Sequence, residues 1–278
     1  MGVRINTNVE AINVHRGLVA TNNKIATSLS RLSSGYRINS AKDDAAGYAV
    51  ANTFRSLTAS LRVANQNAFE ASSMIQVADG ALNKIGDILV RMRDLATQAA
   101  SDQITDTERT YLNSEFGELI DEIDRISDTA EYNNVKLLDG TAGTGGTLTF
   151  QIGVRNTADD RLTINMLDMD TTALGVNASA VDSQANAQTA IDSIDTARDT
   201  LNAHVVTLGV FQNRVQHIMD NIAVTMENFA ASESAIRDVD LAWEMSVFTK
   251  NQILQQSGVA MLAQANRAPQ QLLQLLQG

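Results

Sequence analysis

Three histidines are the first candidates for chemistry, because imidazole groups bind metals and transfer protons near neutral pH. His15, His204 and His217 lie apart in the sequence, and none has another histidine four residues away, as a metal site on one helix face would require. The chain has no cysteine, which excludes disulfide bonds, thiol catalysis and cysteine-based metal sites. The sequence therefore predicts no metal site and no cofactor.

Adjacent carboxylates could in principle act as general acids or bases. Asp43–Asp44 and Asp159–Asp160 are such pairs, but roles in turns and helix caps explain both of them. The glycine-rich segment 140–146 lacks the Lys-Ser/Thr that follows in a phosphate-binding loop. With no catalytic constellation in view, we predict that the protein is not an enzyme.

Charge and hydropathy narrow the classes of partner. The net charge is −11, and the acidic residues are concentrated in the centre of the chain. An acidic surface repels phosphate groups, so no nucleic acid partner is expected. No run of eighteen apolar residues occurs, which predicts no membrane span, and the start of the chain shows no cleaved secretory signal.

The elements that would position any functional residue are long helices. Apolar residues recur at a spacing of three and four over about five heptads, which predicts a coiled-coil seam in a helix near 57–99. At 1.5 Å per residue such a rod is roughly 60 Å long. The members of the seam are Leu61, Ala64, Ala68, Ala71, Ile75, Ala78, Leu82, Ile85, Leu89, Met92 and Ala96.

Further rods and one hairpin follow along the chain. Thr105 and Glu108 have the spacing of a capping box, which predicts a helix near 105–128, and a third rod is predicted near 180–230. Between them, two runs that alternate apolar and polar residues predict a β-hairpin near 147–167. The fold class is therefore mainly α, with long antiparallel coiled-coil rods and one small β-hairpin.

Both ends of the chain are amphipathic helices that nothing nearby in sequence would cover. Packing the first helix against the last is the economical solution, which predicts paired N- and C-termini. The apolar faces that remain exposed would then need partner molecules, so the chain has the character of a building block. The residues we predict to take part are Leu18, Ile25, Leu29, Leu32, Trp243, Leu254 and Met261.

Specific motifs in the terminal segments resemble those of bacterial flagellin. The N-terminal half carries INTN at 5–8, LSRLSSGYRINSAKDDAAG at 29–47, QVADGAL at 76–82 and MRDLATQ at 92–98. The middle carries YNNVKLLDG at 132–140 and FQIG at 150–153. The C-terminal half carries IRDVDLA at 236–242, FTK at 248–250 and MLAQAN at 261–266. The resemblance covers nearly the whole chain and is that of a short form without variable outer domains.

This resemblance implies a structural subunit of the bacterial flagellar filament that assembles itself for motility. Residues 1–44 and 234–278 would form the inner coiled-coil polymerisation domain, and residues 45–233 the outer rod domain. The implied location is extracellular, in the filament. The alternative within the same fold is a hook–filament junction protein, in which a proline tends to follow the double aspartate; here Ala45 and Ala46 follow it.

Several partners follow from the resemblance alone. They are other copies of the chain, a flagellar export chaperone, the type III export apparatus, and the filament cap and hook–filament junction proteins. A host Toll-like receptor is implied at Arg91, Leu95 and Glu115, which match the patch that such receptors contact. The tail ends in an apolar stripe that would bury against neighbouring subunits and bind the chaperone before export: Leu272, Leu273, Leu275 and Leu276.

Overall fold

The computed structural model describes the backbone of residues 7–277 and the side chains of residues 7–267. Five α-helices dominate it: α1 (Val9–Ser34), α2 (Ala45–Ala99), α3 (Asp106–Thr129), α4 (Gln184–Arg237) and α5 (Leu241–Gln277). Two short antiparallel ribbons accompany them, β1 (Glu131–Tyr132) with β2 (Val135–Lys136), and β3 (Thr147–Gln151) with β4 (Arg161–Asn165). None of the helices in the described part of the chain is long and apolar enough to cross a membrane. The predicted mainly-α class is confirmed.

The chain divides into two compact units. One unit comprises Met1–Ser56 and Asn228–Gly278, and the other comprises Leu57–Glu227. The boundaries between the units fall inside α2 and α4. Both helices are longer than predicted: α2 begins at Ala45 rather than near 57, and α4 ends at Arg237 rather than near 230. Asp44 explains the early start of α2, because its carboxylate accepts a hydrogen bond from Gly47 N at 3.0 Å and so caps the helix.

The unit of residues 57–227 has its core along the predicted seam. Every one of the seam residues from Leu61 to Ala96 is buried. On the facing side of α4, Ile194, Leu201 and Leu208 are buried in the same cluster. Arg93 on α2 donates to Asp195 on α4 at 2.7 Å, which ties the two rods together at the edge of the core.

The start of α3 and the turn before it are built from local polar contacts. The predicted capping box is present: Thr105 N donates to Glu108 Oε2 at 2.8 Å, and Glu108 N donates to Thr105 Oγ1 at 3.3 Å. Arg109 is buried and donates to the carbonyl oxygens of Ala99 and Ser101 at 2.9 and 3.0 Å. Arg109 therefore satisfies carbonyl groups that the end of α2 leaves open.

The predicted hairpin is β3 with β4, in the register Leu148 opposite Ile164 and Phe150 opposite Leu162. The apolar residues of β4 face the core, and Leu162 and Ile164 are buried there. The β1–β2 ribbon was not predicted. Its turn is Asn133–Asn134, with φ values of 50° and 64°, and asparagine is among the few residues that tolerate this left-handed conformation.

In the other unit α1 and α5 pack side by side in antiparallel order, as the pairing of the termini predicted. Asn8 Nδ2 donates to the carbonyl of Ala265 at 2.8 Å, and Gln255 Nε2 donates to Asn22 Oδ1 at 2.8 Å. Near the other end of the pair, Arg31 lies 3.5 Å from Glu244. Residues early in α1 therefore lie beside residues late in α5, and residues late in α1 lie beside residues early in α5.

Candidate subunit interface

The apolar side chains of the α1–α5 pair are mostly not buried in the subunit. Leu18, Ile25 and Leu32 are half-buried, on the side of α1 that meets α5. Leu29 lies at the edge of that side and is exposed. Of the four α1 residues that were predicted to join subunits, three therefore pack partly against α5 and one faces solvent.

On α5 the predicted residues form one exposed stripe. Trp243 is 70% exposed, and Leu254 and Met261 are also exposed. At 100° per residue these three positions fall within about 20° of each other around the helix, so they share one face. The predicted tail leucines Leu272, Leu273, Leu275 and Leu276 lie outside the residues whose side chains the structure describes.

A second set of exposed apolar residues was missed by the sequence analysis. Leu241, Met245 and Val259 are exposed on the side of α5 opposite Trp243, and Val9, Ile12 and Val19 are exposed on the side of α1 that faces away from α5. In the sequence these residues repeat at a helical spacing of their own, but the prediction used only the other apolar stripe of each helix. The helix pair therefore leaves apolar surface exposed on more than one side.

The side chains of the pair that are fully buried are polar. Among the described side chains of α1 and α5, those that are buried are Ser28, Glu244 and Asn251. Glu244 is paired with Arg31, whose Nε is also buried and has no acceptor among the described residues. A buried charge is costly without its partner, so this layer depends on both members of the ion pair.

The three residues predicted to contact a receptor lie close together on α2 and α3, but their side chains differ in exposure to solvent. Arg91 donates to Glu115 from Nε at 2.8 Å and from Nη2 at 2.5 Å, and both side chains are about half exposed. Leu95 is only 1% exposed and belongs to the core of its unit. The surface at this position consists of the ion pair, and Leu95 supports it from beneath.

Of the residues first considered for chemistry, Asp159, Asp160 and His217 line the same cavity, whereas Asp43 and His204 lie elsewhere. Asp43 accepts from Ser40 N at 3.0 Å, a hydrogen bond that together with the Ser40 hydroxyl lowers the pKa of Asp43 in a turn. His204 is buried in α4, and burial lowers its pKa. Within the described residues, no three His, Asp or Glu side chains are grouped as a metal site.

Comparison with known proteins shows to which family this chain belongs. The family models described as the bacterial flagellin N-terminal and C-terminal helical regions match residues 5–143 and 191–276. The chain is 40% identical to a flagellin of Halalkalibacterium halodurans over 272 residues, which is 98% of this chain and 99% of the relative. The chain belongs to the bacterial flagellin family. A flagellin of Bacillus subtilis is 38% identical over 99% of this chain and 100% of its own length.

Solved structures agree with this membership. A crystal structure of Bacillus cereus flagellin aligns at 34% identity with a TM-score of 0.51, over 56% of this chain and 88% of that one. A hook-associated protein from Vibrio parahaemolyticus aligns with a TM-score of 0.60 over 70% of this chain and all of its own, but at 12% identity that likeness shows the fold alone. The hook–filament junction alternative is therefore not favoured, and this flagellin is a structural filament subunit and not an enzyme.

Proposed function

We propose that the exposed apolar faces of α1 and α5 are the contacts through which this flagellin polymerises. The observation that carries the proposal is the stripe of Trp243, Leu254 and Met261, which lies open to solvent on a helix whose partner occupies another side. Apolar residues of this size in one exposed row are typical of surfaces that become buried in an assembly. Leu29 and the half-buried Leu18, Ile25 and Leu32 contribute along α1.

Serine substitutions in the stripe test this proposal. Trp243→Ser with Met261→Ser should prevent the formation of sedimentable filaments from purified subunits, because the buried area between subunits is lost. The matched control is Thr249→Ser with Gln264→Ser, at exposed polar positions of the same helix away from both apolar stripes. Far-UV circular dichroism of the free subunits verifies that α5 remains helical. Filaments of normal yield from the stripe variant would overturn the assignment.

The tail leucines extend the same surface in this proposal. Leu272, Leu273, Leu275 and Leu276 bury against neighbouring subunits in the filament and are covered by a flagellar export chaperone beforehand. The support is their sequence pattern together with the family membership, since exposed leucine-rich helices aggregate unless they are bound. Replacing all four by serine should abolish both polymerisation and chaperone capture in a pull-down. Retained capture by the variant would remove the tail from the chaperone's binding site.

The export route of the subunit and its final location are proposed from the family membership. The subunit leaves the cell through the type III export apparatus and is added to an extracellular filament between the hook–filament junction proteins and the cap. Family membership supports this, because filament growth outside the cell needs an export path. A strain that lacks a functional export apparatus should retain the full-length chain in its cytoplasm. Normal secretion from such a strain would contradict the proposed route.

Recognition by a host Toll-like receptor is a second proposed activity, favoured by the exposed Arg91–Glu115 pair. The Arg91 guanidinium donates twice to Glu115 Oε1, and its other N–H groups can donate to a receptor carboxylate or carbonyl while Glu115 accepts. Leu95 contributes by holding the α2 surface in place, since it is buried. Arg91→Ala should lower the response of receptor-expressing reporter cells, whereas Arg125→Ala, at another exposed arginine paired with a carboxylate, should not. An undiminished response to Arg91→Ala would remove this assignment.

A further inference from the structure

Exposed valines form two rows on the unit of residues 57–227. One row is on α2 and the other on α4, and their members are Val63 and Val77, and Val206, Val210 and Val224. At 100° per residue the two valines of α2 fall within about 40° of each other around the helix, and so do the three valines of α4. Single exposed apolar residues are common on soluble proteins, but aligned ones are typical of contact surfaces.

The two valine rows point away from each other. The helices α2 and α4 meet at Gly86 and Leu201, since a Cβ added to Gly86 would lie 3.6 Å from the Leu201 side chain. Val77 is nine residues before Gly86, and Val210 is nine residues after Leu201, which in both cases is half a turn around the helix from the contact. The rows therefore occupy opposite sides of the α2–α4 pair.

Each row lies beside an open cavity. Val210 lines a cavity of about 520 Å³ together with Ile218 and Ile222. Val63 lines a cavity of about 400 Å³ together with Val154, at the end of the β3–β4 hairpin. Ridges and recesses of this kind allow the side chains of two helices to interdigitate when they pack.

We propose that the valine row of α4 in one copy packs against the valine row of α2 in the next copy. A contact between two different surfaces on opposite sides of a molecule leaves one of each free in a pair, so it continues from copy to copy into rings or helical polymers. This fits a structural filament subunit. The inference adds a contact in the unit of residues 57–227 to the proposed contacts of α1 and α5, and it does not depend on them.

The spacing within the rows restricts how neighbouring copies are displaced along the rods. Val63 and Val77 are fourteen residues apart, as are Val210 and Val224. Because α2 and α4 are antiparallel, Val77 and Val210 lie at the same height in one copy, on the same side of the Gly86–Leu201 contact. Val77 therefore meets Val210 when two parallel copies are level. It meets Val224 when one copy is displaced by about 21 Å, which is fourteen residues at 1.5 Å each.

Charges placed in the rows test this pairing in filaments of the full-length chain. The first variant is Val63→Lys with Val77→Lys, and the second is Val210→Glu with Val224→Glu. Each variant alone should lower the yield of sedimentable filaments at least about fivefold, because its charges would be buried against valines. An equimolar mixture should recover the parent yield to within about twofold, since the lysines of one variant then meet the glutamates of the other. The unchanged rows of the two variants meet as in the parent.

Matched controls carry the same charges on the same helices outside the rows. Gln76→Lys with Asn83→Lys on α2, and Thr200→Glu with Thr207→Glu on α4, change exposed polar positions and should leave the filament yield unchanged. Thermal unfolding of the free subunits verifies that the unit of residues 57–227 remains folded in every variant. If a charged variant unfolds, the variant with serine at the same two valines replaces it in the yield measurement.

The absence of cysteine allows cross-linking within assembled filaments, since every thiol is an introduced one. Filaments are grown from two single-cysteine chains, Val77→Cys mixed with either Val210→Cys or Val224→Cys, and are treated with a short bifunctional thiol cross-linker. One of these mixtures should give heterodimers at least about tenfold faster than Val77→Cys mixed with Thr200→Cys. The faster mixture reports whether the copies are level or displaced.

Parent-like yields from both charged variants would overturn the proposal. A mixture that polymerises as poorly as its components would also overturn it, and so would cross-linking no faster than the control in both mixtures, because the rows would then meet another partner. The proposed contacts of α1 and α5 fail separately. Their test is the filament yield of Trp243→Ser with Met261→Ser, in which both valine rows are intact.

Discussion

At the scale of single residues, the fully buried side chains in the described part of the α1–α5 pair are polar. Glu244 is buried, and its cationic partner Arg31 lies 3.5 Å away. In most helix pairs apolar residues fill this position, and a buried ion pair adds little net stability because both charges must leave water. Here the ion pair lies among half-buried apolar residues such as Leu18 and Ile25, and further apolar groups are exposed on the outer faces. The polar residues therefore account for only part of the contact between α1 and α5.

Loss of one partner should be costly. Arg31→Ala leaves the carboxylate of Glu244 buried without its cation, and we expect the pairing of α1 with α5 to weaken by about 1–3 kcal/mol. Hydrogen exchange of the α1 amides in the free subunit measures this directly. Arg16→Ala, at an exposed position of the same helix, is the control. Equal exchange in both variants would show that the ion pair contributes nothing.

His204 gives the unit of residues 57–227 a pH dependence of defined sign. It is buried, its Nε2 has no partner among the described residues, and burial lowers its pKa from the ordinary value of about 6.5. The unfolded chain then binds the proton more readily than the folded one, so stability is present above about pH 6.5 and falls as the pH drops below it. His204→Leu should flatten the decline in melting temperature between pH 7 and 5.

The exposed His217 provides the comparison, since His217→Leu should leave that decline in place. A parent chain and a His204→Leu variant with parallel pH profiles would show that His204 does not carry the effect. The sequence alone did not reveal this residue's environment. Its position fits the helical spacing of the α4 core, but the sequence analysis considered it only as a possible metal ligand.

At the scale of elements, local sequence signals were reliable where their cause is local. The capping box at Thr105 and Glu108 and the alternation in the β3–β4 hairpin each depend on neighbours in sequence, and both were predicted. The seam of α2 was also predicted, because a 3–4 spacing over five heptads has few other solutions. The start of α2 was missed, since residues 45–56 carry few large apolar residues and their helix depends on the cap at Asp44.

The capping box should contribute measurably to the unit that contains α3. Thr105→Ala removes the hydroxyl that accepts from Glu108 N, and we expect a loss of about 0.5–2 kcal/mol. Urea unfolding followed by circular dichroism measures the loss. Thr110→Ala on the same helix removes only a hydroxyl bonded within its own turn, so its effect should be smaller. A larger loss in Thr110→Ala would contradict this account of the helix start.

The bonds from the Thr105 backbone and hydroxyl also lower the pKa of Glu108. A carboxylate with a lowered pKa stabilises the fold above its unfolded value of about 4.3, and that contribution is lost as the pH falls through the folded value. The difference in the free energy of unfolding between the parent and Thr105→Ala should therefore become smaller at acidic pH. A difference that stays constant down to pH 3 would show that Thr105 does not act through the carboxylate of Glu108.

At the scale of the whole molecule, the distant contacts were the least predictable from sequence. The pairing of α1 with α5 was predicted because two uncovered amphipathic helices need each other. The contact between the links that follow α1 and α4 was not predicted, since it brings together Tyr36 and Asp238, about 200 residues apart. The guanidinium of Arg237 lies against the ring of Tyr36 there. The segments 29–47 and 236–242, two of those that carried the family resemblance, contact each other at these links.

The exposed stripe on α5 provides the most direct test of the account, because Trp243 is the chain's single tryptophan and is 70% exposed in the subunit. If the stripe is buried between subunits, polymerisation should shift the tryptophan emission to shorter wavelength and lower its quenching by acrylamide severalfold. The measurement compares free subunits with sedimented filaments of the unmodified chain. Filaments whose tryptophan emission and quenching equal those of the free subunit would contradict the account.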